Sequence, residues 1–192
     1  MNKKYLLLPV AVVVAAAVAT AVNLWPTERK ELRKQNLCLG MLTEKTAGLL
    51  QDGKGGAVVA DEFAPNSSGS AAKRADPIFS TICFVNRKNA DDRMRGMYSL
   101  DVNDASTLHD APEGATAIGE GLTGWVGGRQ SEVQLPAGCP KKMGTTADVT
   151  VALKVSPVVI VGRDWNYASI AKDSRTIILE AVDNLTKQYD CA

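Results

Sequence analysis

The sequence predicts an α+β domain: a mainly antiparallel sheet of about five to six strands, a short N-terminal helix and a long C-terminal helix packed on it, behind an N-terminal transmembrane helix. Three observations carry this. "DVTVALKVS", 148–156, places Val149, Val151, Leu153 and Val155 at every second position, the period of a half-buried strand. Turn-rich stretches separate further short β-branched runs at hairpin spacing. From Trp165 onward the apolar residues recur at three- and four-residue steps, the period of a helix lying on a sheet.

The chain begins with Asn2, Lys3 and Lys4, followed by "YLLLPVAVVVAAAVATAVNLW", 5–25, whose only ionisable group is a tyrosine phenol. As a helix these residues reach roughly 31 Å at ~1.5 Å per residue, enough to span the hydrocarbon of a bilayer. Residues 1–26 therefore read as an anchor, with Trp25 at the interface. The alternative is a secretory signal cleaved near Ala21, since Ala19-Thr20-Ala21 has the A-x-A form. Residues 27–36, with the basic run "RKELRK", read as a juxtamembrane segment that is solvated or touches anionic headgroups. Residues 37–192 form one domain, placed outside the membrane because disulfides need an oxidising compartment.

Within that domain, "LTEKTAGLLQDG" predicts a two-turn helix capped by Thr43, stapled by Leu42 and stopped by Gly53. "GAVVADEF", 56–63, predicts a strand, and "APNSSGSAAK", 64–73, an exposed loop. "PIFSTICFVN", 77–86, reads as a buried strand carrying Cys83. "MYSLDVND" follows a charged turn as its hairpin partner, with Tyr98, Leu100 and Val102 inward. After a loop holding His109, "GLTGWVGGRQSEVQLP" predicts two short strands around Gly127-Gly128. The last helix puts Ala168, Ala171, Ser174, Ile178, Ala181, Val182, Leu185 and Tyr189 on one stripe.

Composition narrows the chemistry. Lys plus Arg number 22 against 21 Asp plus Glu, so no excess of positive charge favours nucleic acid. His109 is the only histidine, which rules out multi-histidine metal centres, and no cofactor is expected. "GEGLTG", 119–124, has the G-x-G-x-x-G form of a dinucleotide loop, yet strand and turn residues follow where a helix is required. Its glycines fit twisted strands packed around Trp125 better. Trp125, Trp165 and Tyr167 are the candidate walls of a ligand groove, sought where the Gly-rich hairpin meets the last helix.

Cys38, Cys83, Cys139 and Cys191 are widely spaced, with no C-x-x-C, which favours disulfides over zinc. Four cysteines allow three pairings. Joining Cys38 to Cys83 and Cys139 to Cys191 would tie each helix to the sheet, although spacing alone does not choose. "CLGMLTEKTAGLL", "ICFV" in a strand, "GLTGWVGG…VQLPAGC" and the final "YDCA" together resemble a group of uncharacterised actinobacterial proteins, membrane-anchored or secreted, including lipoprotein-like sensor domains. That resemblance implies an antiparallel sheet with flanking helices, two disulfides in the order just given, and no known catalytic residues. Its lipoprotein members carry the lipobox cysteine directly after the signal. Here Cys38 stands about 13 residues past the apolar run, which departs from that pattern.

The function expected from these features is a non-enzymatic extracytoplasmic module that binds an envelope protein or small ligand. A cell-envelope hydrolase using His109 is the alternative, and either way the membrane is met through the N-terminal helix.

Overall fold

A computed structural model describes residues 32–63, 77–104 and 107–191. The anchor or signal segment, the first five residues of the juxtamembrane segment and the whole 64–73 loop lie outside these residues. No helix among the described residues is long and apolar enough to cross a membrane.

In chain order the elements are α1 (Glu44–Ala47), β1 (Ala57–Phe63), a 3₁₀ turn (Pro77–Ser80), β2 (Ile82–Lys88), β3 (Met94–Asn103), β4 (Thr116–Gly119), β5 (Leu122–Val126), β6 (Gln130–Gln134), α2 (Cys139–Lys142), β7 (Thr150–Val155), α3 (Pro157–Gly162) and α4 (Tyr167–Tyr189). All seven strands join one antiparallel sheet in the order β1-β2-β3-β7-β6-β5-β4. Two meanders, β1 to β3 and β4 to β7, thus meet where β3 pairs with β7. The alternation read in the sequence sets the register of that central pair, which aligns Leu100 with Leu153 and Val102 with Val151.

The expected five to six strands become seven because "GEGLTG" makes a hairpin of its own. Gly119, Glu120 and Gly121 all adopt positive φ, which turns the chain from β4 into β5. Residues 116–119 are too short and too mildly apolar to announce a strand, and β5 supplies the pairing that makes them one.

α1 is shorter than the two turns expected. Thr43 does cap it, its hydroxyl accepting from the Thr46 amide, but the stop is Gly48 rather than Gly53. Beyond Ala47 the carbonyls that a helix would use are claimed by side chains from elsewhere. Arg87 donates to Gly48 O at 2.7 Å, and Arg163 donates to Leu49 O at 3.0 Å and Gln51 O at 3.3 Å. The chain then continues without regular structure to Asp52, whose buried carboxylate lies 2.9 Å from Arg95 Nε. Gly162 packs on Asp52 so closely that a Cβ there would sit 2.6 Å from its carbonyl oxygen. "PVVIVG", β-branched and strand-like by propensity, is accordingly the helix α3. Pro157 begins it with a preset φ, and its contacts override intrinsic preference.

The core lies between one sheet face and α4, which packs on β5, β6 and β7. Ile170, Ser174, Ile177, Ile178, Ala181, Val182, Leu185 and Tyr189 are buried, close to the expected stripe; Ala168 is exposed instead. The C-terminal half of α4 is buried on a second side as well, because residues 33–46 lie against it. Asn184 donates to Met41 O at 2.9 Å, Arg33 donates to Gln188 and Tyr189 at 3.2 and 2.8 Å, and Glu180 accepts from the Thr43 amide and the Thr46 hydroxyl. Arg33, from the basic run, is thereby bonded to the domain.

The cysteines pair Cys38 with Cys83 and Cys139 with Cys191, with Cα separations of 5.3 and 4.9 Å. The first bridge ties the segment before α1 to β2. The second ties the end of α4 to α2.

Candidate functional site

The groove is built by the β5–β6 turn, the loop before β4 and the first turns of α4. Gly128 in the turn touches Tyr167 directly: a Cβ on Gly128 would lie 2.7 to 3.0 Å from three atoms of that residue. Glycine is therefore required there by contact. Tyr167 is fixed at its other end by Arg129, whose Nε and Nη2 donate to the phenol oxygen at 3.2 and 2.8 Å. Around it open two adjoining lobes of about 440 Å³ each, which share Gly114, Gly128 and Tyr167. Pro112, Glu113 and Arg129 line the first lobe; Val126, Ala168, Ala171, Lys172 and Arg175 line the second.

Arg175 has a second task at this place. Its guanidinium donates to the carbonyls of Ile118 and, at 2.7 Å, Ala117. Both belong to β4, the outer strand of the sheet, whose carbonyls would otherwise invite another strand.

The opposite face of the sheet carries a different cluster. Register aligns Phe63, Ile82, Asp101, Ala152, Glu132, Trp125 and Ala117 in one row across all seven strands, turned away from α4. Glu132, with its side chain only 5% exposed, accepts from the His109 amide at 3.1 Å and lies 2.9 Å from His109 Nδ1. Trp125 Nε1 donates to His109 O at 3.0 Å. These three contacts fasten the loop before β4 onto the sheet beside a polar cavity of about 290 Å³. In the same row, burial pushes the Asp101 carboxyl above its ordinary range, and Lys154 at 3.8 Å pulls it partly back. In the core, burial likewise raises the Tyr98 hydroxyl, which donates to Ala47 O.

The three candidate aromatics do not share one site. Tyr167 lines the groove, Trp165 stands 57% exposed in edge-to-face contact with it at 6.3 Å, and Trp125 is buried on the other face beneath His109. His109 itself is 83% exposed, and the described residues place no hydroxyl or thiol in hydrogen-bonding contact with it. Ser131, which borders the same cavity, bonds instead to the Gly127 backbone. Among the described residues no cluster of three metal-ligating side chains occurs.

Sequence reasoning passed over Glu132, Arg129, Lys172 and Arg175. The partners of Glu132 and Arg175 lie 23 and 57 residues away, so no local spacing reports them. An acid inside the alternating run "SEVQL" was the one available sign, since a strand residue flanked by inward neighbours must face the other way.

No protein-family model, no curated protein and no solved structure matches the chain, so the actinobacterial resemblance rests on its short motifs alone.

Proposed function

We propose that residues 37–192 form a non-enzymatic extracytoplasmic module, tethered by the N-terminal helix, that binds a small ligand or an envelope partner in the groove at Tyr167. The observation that carries this reading is the groove itself: two lobes of ligand-sized volume share one aromatic side chain, and that side chain is held by both a glycine contact and an arginine. Two disulfides support the placement on an oxidising side.

The hydrolase alternative draws support from the His109–Glu132 pair, which has the orientation of a base and its positioning carboxylate. Among the described residues no nucleophile contacts the imidazole. Two measurements separate the readings. Screening small fragments by NMR against the full chain should give hits that perturb Gly114, Gly128 and Tyr167, and hits confined to His109, Trp125 and Glu132 would count against the groove. Hydrolysis of p-nitrophenyl butyrate should be no faster with the native chain than with His109→Ala. Turnover abolished by that substitution would establish the enzyme reading instead.

A further inference from the structure

We infer that the groove selects a small organic anion, a carboxylate or phosphate monoester on an apolar body. This rests on the groove reading above and assigns its ligand class. Three cations, Arg129, Lys172 and Arg175, line the two lobes against a single carboxylate, Glu113. Elsewhere Lys88, Arg95, Lys142, Lys154, Arg163 and Lys187 each face an aspartate within ion-pair distance. The groove cations are not so paired, a state they share with Arg87, which bonds to backbone carbonyls: among the described residues Arg129 donates to a neutral phenol, Arg175 to a threonine hydroxyl and backbone carbonyls, and Lys172 has no ion-pair partner. What distinguishes them is that all three gather on one cavity with a single carboxylate, so positive charge is in excess where it opens.

Arg129 has five N–H donors and spends two on Tyr167, which leaves a fork edge for an incoming anion. The remaining lining, chiefly the Tyr167 ring, Val126, Ala168 and Ala171, suits an apolar body. A peptide adding itself as a strand is disfavoured, because Arg175 occupies the β4 carbonyls that such a strand would need. A basic ligand would meet three like charges and one acid.

The test is calorimetric titration of the full chain in zwitterionic lipid nanodiscs with phenyl phosphate, benzoate, inorganic phosphate and benzylamine. Phenyl phosphate should bind more tightly than inorganic phosphate, which lacks the body, and roughly tenfold or more tighter than benzylamine, which has the body with the opposite charge. Arg129→Gln with Lys172→Gln should weaken phenyl phosphate by at least about tenfold, Glu113→Gln should tighten it, and added salt should weaken it. Melting temperatures near native confirm that the variants fold. Equal binding of benzylamine, indifference to the double substitution, or no binding of either aromatic anion at millimolar concentration overturns the anion assignment. Groove failure is read separately. Pro112→Trp with Ala168→Trp fills both lobes and should abolish every probe that binds; a cationic preference abolished by filling would keep the groove and refute the anion, whereas probes that ignore filling would refute the groove itself.

Discussion

Removing the bridge at the end of α4 gives the sharpest test of what holds this fold. Cys139 and Cys191 are separated by 52 residues, and the chain-entropy model assigns closure of such a loop about 4 kcal/mol. For a domain of this size each 1 kcal/mol moves Tm by roughly 2 to 4 °C, so the Cys139→Ala, Cys191→Ala pair should melt roughly 8 to 16 °C lower. Alanine is the right replacement. Both sulfurs are buried, and a serine hydroxyl left there would add an unsatisfied polar group to the loss. The Cys38–Cys83 loop spans 45 residues, and the logarithm makes its entropic share nearly the same. Thermal unfolding followed by circular dichroism measures both pairs. A fall of less than about 4 °C for either would refute the loop-entropy account, since a loss of about 2 kcal/mol, half the expected value, should already reach it. A marked difference between the pairs would report native contacts. Both segments keep other bonds after their bridge is gone, the Cys38 segment to Asn184 and Glu180 and the end of α4 to Arg33 and Lys142. The two pairs should therefore lower Tm by similar amounts.

Two further substitutions probe the two faces of the sheet. Asp101 has its carboxyl raised by burial, so the folded state holds its proton more firmly than the unfolded chain; its contribution is fully present below the ordinary aspartate value of 3.8 and is lost as pH rises through the folded pKa. Asp101→Asn should flatten the decline of stability above pH 3.8 and leave the protein no less stable at neutral pH, read by urea unfolding across pH; a steeper decline in the variant would show the sign to be wrong. Gly128→Ala puts a methyl within 3 Å of Tyr167, an overpacking cost of about 1 to 3 kcal/mol, and an unchanged urea midpoint would mean that the hairpin yields without effort.

What the sequence revealed divides by range. β7 and β3 were legible because alternation is a local property, and α4 because its core stripe recurs within each turn. The Thr43 cap was legible for the same reason, its partner lying three residues on. The end of α1 was not, since Arg87 and Arg163, which take the carbonyls after it, lie 39 and more than 100 residues downstream. α3 was hidden by its own composition: three valines and an isoleucine suggest a strand, and the contacts that keep a helix, the burial of Val159 and Ile160 and the approach of Gly162 to Asp52, are tertiary. In the candidate site, the meeting of Gly-rich hairpin and last helix could be expected, because both elements were visible. Which aromatic would stand there could not. Trp125 faces the other side by a single residue of register, its neighbour Val126 lining the groove in its place.

The two halves of α4 explain why the groove lies where it does. Toward its C-terminus the helix is held from both sides, by the sheet and by residues 33–46, and its buried polar residues Asn184 and Gln188 are those bonded to that segment. A one-sided amphipathic reading takes such residues for solvent-facing ones, which is why the second layer of packing left no apolar mark. Toward its N-terminus only the sheet and its turns support the helix. Tyr167 and Ala168 stay partly open, and the space beside them is the groove. The Cys191 bridge, the Cys38 segment and their bonds thus brace the half of α4 remote from the cavity. Under the proposed function, a ligand entering beside Tyr167 would meet a helix already fixed at its far end, and binding would need to order little beyond a few exposed side chains.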